Sequence, residues 1–98
     1  MAVEITIRHL EIGDAVKAQA REKADRLVEK FPDVEFVHAV LEKDGPFFSV
    51  MIAVQGGNNN KVESSAKRDN VIEALQDAFD KSEAQLRKNA QRSRESRK

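Results

Sequence analysis

The hydropathy period of this chain changes from two residues to about 3.6 and back again, and that order limits the folds it can adopt. Residues 2–8 alternate apolar and polar side chains, as a strand with one buried face does. From Gly13 the apolar residues recur at helical spacing as far as Phe31, and Pro32 ends that segment. The first two elements are therefore predicted to be a strand and an amphipathic helix.

The rest of the chain predicts three more strands and a second helix. The strands are the segments with a period of two, separated by turn-forming residues: 34–43, 47–55 and 61–67. A helix begins at about Asp69, with an apolar stripe of Val71, Ile72, Leu75, Ala78, Phe79, Ser82 and Leu86. The order β-α-β-β-β-α predicts an α+β two-layer sandwich. A four-stranded sheet carries two helices on one face, and its other face is solvated.

Neighbouring residues on a strand point to opposite faces, which matters for the pair Phe47 and Phe48. Phe48 shares its face with Val50 and Ile52, so it is predicted to lie in the core. Phe47 is then expected to be partly exposed.

Composition excludes several classes of function. The 98 residues contain no cysteine, so disulfides, thiolate zinc sites and cysteine nucleophiles are ruled out. The two histidines, His9 and His38, lack metal-ligand spacing and a catalytic partner, so no enzyme, cofactor, metal or small-molecule substrate is expected. No apolar run is long enough to cross a membrane, and the N-terminus lacks the layout of a signal peptide, so a cytoplasmic protein is expected.

Positive charge is concentrated at the C-terminal end. The whole chain has a formal net charge of zero, yet residues 84–98 contain six Lys or Arg and one acid. This segregation makes nucleic acid the first partner to consider. A single α/β domain is predicted at 1–92, followed by a basic, disordered tail at 93–98.

Further cations line the two predicted helices. At 100° per residue, one flank of the first helix carries Lys23, Arg26 and Lys30, and the other carries Lys17 and Arg21. The second helix brings Lys81, Lys88 and Arg92 to one side. Helices packed side by side would join such flanks into one wide basic surface. The alternative is an ordinary solvated face, because acids early and bases late in a helix complement its dipole.

Through short motifs across residues 3–92, the chain resembles the ribosome hibernation promoting factor family in its short single-domain form. Members of this family are also called ribosome-associated inhibitors or ribosomal subunit interface proteins. Each motif is weak alone, and their order and spacing carry the likeness: Glu11-Ile12 and Ala15 before a helix with Lys17, Lys23, Arg26 and Leu27, then Val37, Val40-Leu41, Val54, Gly56-Gly57, Ser65-Ala66, Lys81, Gln85-Leu86 and Lys88. The chain departs from the family pattern at Asn70, Ile72 and Ala84.

The resemblance implies a non-enzymatic stress factor that binds the small ribosomal subunit in the channel used by mRNA and tRNA and inhibits translation. Its partner would be ribosomal RNA, with contacts from ribosomal proteins beside the channel. The basic flanks and the family pattern together predict these RNA-binding residues: Lys17, Lys23, Arg26, Lys81, Arg87, Lys88 and Arg92.

Two other functions stay open at this point. The chain would be a protein-binding regulator of the sigma-factor modulator type if the solvated sheet face, with Phe36, His38 and Phe47, holds a protein. It would be a general double-stranded RNA binder if three strands between helices form that module, although the extra first strand and helix argue against it. Binding that weakens steeply with salt favours phosphate contacts over an apolar protein interface.

Overall fold

The computed structural model describes residues 2–8, 10–11, 13–57 and 61–95, and of Ala2 and residues 90–95 it describes the backbone only. The elements are β1 (Ala2–Arg8), α1 (Asp14–Lys30), β2 (Val34–Asp44), β3 (Phe47–Gly56), β4 (Lys61–Arg68) and α2 (Val71–Glu95). The predicted α+β class and the order β-α-β-β-β-α are confirmed. Neither described helix is long and apolar enough to span a bilayer.

The four strands form one mixed sheet in the order β1-β2-β3-β4. β1 pairs with β2 in parallel, with Ile5 opposite Ala39, and the other two pairings are antiparallel. A parallel pair needs a long crossover connection, which α1 supplies. The β2–β3 hairpin turns at Gly45, whose φ of 60° lies in the left-handed region that glycine adopts at little cost.

One face of this sheet forms the core. Alternate residues of β2, Val37, Ala39 and Leu41, are fully buried, and their neighbours on the strand are more exposed. The two helices cover this face with small and apolar side chains: Ala20, Ala24 and Leu27 from α1, and Ala74, Leu75, Ala78 and Phe79 from α2. Small alanines at the contact let each helix axis approach the sheet closely. The opposite face of the sheet, called here the open face, is not covered by either helix.

The two helices lie parallel and in register. α1 follows the carboxyl end of β1 and α2 follows that of β4, and these strands run in the same direction. Two side-chain contacts confirm the alignment, because Lys23 meets Gln76 and Lys30 meets Glu83, each pair 53 residues apart. Both helices therefore end at the same end of the sheet. Lys30, in the last turn of α1, also faces the negative pole of that helix dipole.

Local hydrogen bonds fix the start and the middle of α2. The Asn70 side chain accepts hydrogen bonds from the amides of Ile72 (2.8 Å) and Glu73 (3.2 Å), as a helix N-cap does. The buried hydroxyl of Ser82 donates to the carbonyl of Ala78 at 3.1 Å, so this polar group in the core is satisfied. The backbone of α2 continues through the first three residues of the tail predicted at 93–98. The other three lie outside the described residues.

Two predictions about the core need correction. Ile72 was assigned to the buried stripe of α2, yet it is 36% exposed at the first turn, and Ala74 is buried instead. Phe48 shares the core face of β3 but is only half-buried, at the end of the β3–β4 pairing, opposite Arg68. The ammonium of Lys43 covers its ring, 4.2 Å from the centroid.

Replacing Leu75 by Ala is expected to lower the free energy of unfolding by about 2–5 kcal/mol, since a fully buried leucine leaves a cavity. Ile72→Ala, on the same helix, is expected to cost roughly 1 kcal/mol or less because that side chain already contacts water. Chemical denaturation of both variants measures the difference. Equal losses would contradict the burial of these two positions.

Candidate nucleic-acid interface

A groove runs between the parallel helices. It encloses about 180 Å³, and we call it the helix groove; its lining is Lys23, Arg26, Leu27 and Lys30 from α1 and Gln76, Phe79, Asp80 and Glu83 from α2. Buried Leu27 and Phe79 form its floor. The polar side chains stand above this floor, so the groove has a charged rim over an apolar base.

Glu83 joins two cations on this rim. One carboxylate oxygen lies 2.7 Å from the Lys30 ammonium, and the other lies 3.1 Å from the guanidinium of Arg87. Lys30 belongs to α1 and Glu83 to α2, so this pair links the helices. Glu83 is 27% exposed, whereas Lys30 and Arg87 are 55% and 66% exposed. The carboxylate thus lies beneath two cations that remain open to solvent.

The cations raise the acidity of Glu83. A hydrogen bond from Lys30 holds the pKa of the Glu83 carboxyl below its ordinary value of 4.5, the charges of Lys30 and Arg87 act in the same direction, and partial desolvation opposes them. Glu83 is therefore fully ionised at neutral pH. The negative charge between the helices is permanent under physiological conditions.

The other side chains of the groove are also engaged. The Lys23 ammonium donates to the Gln76 side-chain carbonyl, and the Gln76 amide donates to Asp80 at 2.9 Å. Arg26 pairs with Glu22 one turn earlier on α1, at 2.8 Å on an exposed surface. Exposed pairs of this kind contribute about 0–1 kcal/mol, so a polyanion can exchange with their carboxylates at little cost.

A second group of cations lies on the opposite flank of α2, beside β4. Lys81 and Lys88 line an open hollow of about 430 Å³ together with Glu63, Ser64, Ser65, Ala84 and Gln85, which we call the strand-edge hollow. The Lys81 ammonium donates to the carbonyl of Ser65 at 3.1 Å and lies 3.9 Å from Asp77. Lys88 is exposed and makes no ion pair within the part of the chain that the structure describes. Among the cations of α2 whose side chains the structure describes, these two lysines are the least neutralised.

Five of the predicted RNA-binding residues therefore form two groups, and these five do not share one wide surface. Lys23, Arg26 and Arg87 lie at the helix groove, and Lys81 and Lys88 lie across α2 at the strand-edge hollow. Arg92 falls one turn after Lys88, and its side chain lies outside the described residues. Lys17 stands about 120° around α1 from Lys23, on the flank away from α2, and is exposed without an ion pair to a described residue.

Two members of the groove, Lys30 and Glu83, are not among the predicted RNA-binding residues, although Lys30 shares the predicted flank of Lys23 and Arg26. A signal for both was present, because Lys23 and Lys30 are spaced seven residues apart, as are Gln76 and Glu83, so each pair lies on one helix face. Only the parallel register of the helices shows that these faces meet. His38 lies on the open face, where its ring is 2.9 Å from the Thr6 hydroxyl.

The geometry defines a class of two-layer domains in which two parallel helices with exposed cations cover one face of a four-stranded sheet. Residues 3–94 match the sequence family described as "Sigma 54 modulation protein / S30EA ribosomal protein", and the chain belongs to that family. No curated protein sequence matches this chain. The match to the family model confirms the family resemblance seen in the sequence.

Two solved structures show how closely the fold is shared. A ribosomal subunit interface protein from Coxiella burnetii superposes with a TM-score of 0.83, at 18% identity, over 92% of this chain and 98% of its own. The N-terminal domain of Protein Y from Thermus thermophilus superposes with a TM-score of 0.78, at 26% identity, over 90% of this chain and 98% of its own. The chain thus spans nearly all of each of these folds.

The Glu83 ion pairs predict a pH-dependent contribution to stability. Because the pKa is lowered in the folded state, the contribution is complete above about 4.5 and is lost as pH falls through the folded-state pKa. Glu83→Gln is expected to cost about 1 kcal/mol at pH 7, or roughly 4–8 °C in Tm, with the gap from wild type closing in acid.

Thermal unfolding between pH 7 and pH 2 measures this gap. Glu29→Gln is the matched control, since Glu29 is exposed on α1 and forms no ion pair with a described residue. A gap that widens as pH falls below 4.5 would overturn the assignment.

Proposed function

We propose that this protein binds the small ribosomal subunit, occupies the channel used by mRNA and tRNA, and inhibits translation without catalysing a reaction. The description of the family to which the chain belongs names a ribosomal protein, and this supports ribosome binding. The Coxiella burnetii neighbour is a ribosomal subunit interface protein, which favours the same partner for this chain. The proposed site of action is the cytoplasm, where ribosomes work.

The observation that carries the proposal is the position of the helix cations. The two helices end at the same end of the sheet, so Lys30, Arg87 and Lys88 lie toward one end of the domain. Lysines and arginines bind backbone phosphates by charge and position, without reading base sequence. A-form RNA offers protein helices little access to base edges, so recognition by charge and shape suits a ribosomal RNA surface.

Inhibition then follows from occupancy. The domain measures 48 × 23 × 17 Å, an elongated body with a narrow cross-section. Such a body blocks a channel by filling it, and no catalytic group is required. If RNA phosphates are bound, the logarithm of the binding constant falls linearly with the logarithm of the salt concentration. The slope is about −0.7 to −0.9 for each phosphate neutralised.

Replacing Lys81 and Lys88 together by Ala is expected to weaken binding to purified small subunits about tenfold to hundredfold, because two charge-assisted phosphate contacts are lost. The slope of the salt dependence should fall by roughly 1.5. Filter binding over a salt series gives both numbers.

The control for this pair is Arg8→Ala with Lys43→Ala, which removes the same charge at the end of the sheet where the helices begin. This control is expected to bind like wild type. If both double variants lose affinity equally, net charge and not a local site explains the binding. Full affinity of a folded K81A/K88A protein would remove these lysines from the interface.

A second candidate function is protein binding through the open face. The observation in its favour is an apolar strip in which Met51 is 53% exposed and stands opposite Val40 of the neighbouring strand. The family description also names sigma-54 modulation. Apolar contacts of this kind depend little on salt, unlike phosphate contacts.

Met51→Glu separates the two functions, because it places a charge at the centre of the apolar strip and leaves the helices untouched. We expect this variant to retain wild-type affinity for small subunits in the filter-binding assay. If Met51→Glu loses affinity, and the loss is the same at low and at high salt, the open face is favoured as the interface.

A further inference from the structure

We propose that Glu83 occupies, in the free protein, the position that an RNA phosphate takes in the complex. Docking would exchange the carboxylate for a backbone phosphate on Lys30 and Arg87. This inference rests on the proposed function and deepens it, because it assigns the helix groove as a phosphate site and Glu83 as an internal competitor. Lys30 thereby joins the RNA-binding residues.

The first argument is the geometry of the two ion pairs. Each oxygen of Glu83 faces a different cation, at 2.7 Å for Lys30 and 3.1 Å for Arg87. A phosphodiester also presents two charged oxygens on one atom, so it can bridge the same two cations. The cations come from different helices, and the register of α1 and α2 holds them at the spacing of one anion.

The second argument is access. Lys30 and Arg87 are more than half exposed, whereas the Glu83 side chain is mostly covered. A phosphate approaching from solvent therefore meets the cations before it meets the carboxylate. Neither cation needs to leave a buried position, and long flexible side chains can turn outward to follow the phosphate while Glu83 remains below.

The third argument is the charge around the groove. Arg26 and Lys23 stand on the same rim, where Lys23 is held by the uncharged Gln76 and Arg26 by the exposed Glu22. Together with Lys30 and Arg87, the groove and its ion-pair partners carry four cations against the three acids Glu22, Asp80 and Glu83. The rim therefore keeps a net positive charge, which attracts an anion from solvent. Because Glu83 is ionised at neutral pH, it competes with phosphate at all times.

The decisive variant is Glu83→Gln, compared with Glu29→Gln. Both remove one negative charge near the same end of the domain, but only the first releases Lys30 and Arg87. Removing an exposed ion pair that competes with phosphate is expected to tighten binding to small subunits about fivefold, with little change for the Glu29 variant. The salt slope should steepen by roughly 0.7–0.9 for each cation released. An ion pair that serves only to clamp the helices predicts unchanged or weaker binding for Glu83→Gln, and either result overturns the proposal.

A second background tests whether the gain passes through these cations. When Lys30 and Arg87 are both replaced by Met, adding Glu83→Gln is expected to leave affinity unchanged, since no cation is left to release. A gain of similar size in that background would show a general effect of charge and would overturn the phosphate site.

A short RNA duplex of arbitrary sequence serves as a second probe, and it separates this inference from the proposed function. If wild type fails to bind small subunits while Glu83→Gln binds the duplex more tightly than Glu29→Gln does, the phosphate site stands and the ribosomal assignment fails. If wild type binds subunits and the two Gln variants are equal on both probes, the function stands and the phosphate site is wrong.

Discussion

The structure depends on covering one apolar sheet face with two helices that run in the same direction. The parallel β1–β2 pair forces a crossover, so α1 begins where β1 ends, and α2 begins at that same end because β4 runs in the direction of β1. Helix direction is therefore a product of strand pairing. It brings the last turn of α1 beside the middle of α2, where Lys30 meets Glu83. The proposed function depends on this topology, since antiparallel helices would separate Lys30 from Arg87.

Much of the fold could be predicted from the sequence because local periodicity reports burial directly. The alternation of Val37, Ala39 and Leu41 identified the buried side of β2, and turn-forming residues marked its end. The errors lie where an element extends past its partner. Phe48 has the parity of a core residue, but it lies at the last pair of the β3–β4 ladder and stays half-buried. Ile72 has the helical spacing of a core residue, yet it lies in the first turn, where α2 is only partly covered.

The candidate site was predicted less completely, because it depends on which helix flanks meet. A helical wheel gives the direction of Lys23, Arg26 or Lys81 about its own axis and nothing about the neighbouring helix. The structure shows that the flank of α1 faces an acid-bearing flank of α2, while Lys81 and Lys88 face β4. One basic surface was expected, and two were found on either side of α2. The spacing of Gln76 and Glu83 puts both on one helix face, but the importance of Glu83 comes from Lys30 on another helix.

The position of β1 has a consequence for how the nascent chain acquires its structure. β1 is synthesised before the whole of α1 and before β2, which is its neighbour among the strands that the structure describes. Until residues 34–44 have been made, Val3, Ile5 and Ile7 have no strand to pair with. The hairpin strands β2, β3 and β4 form from consecutive segments, so they need only short loops to close. The strands β2, β3 and β4 can therefore pair with one another without β1. Although β1 is synthesised first, it takes its place at the edge of the sheet only after β2 is available.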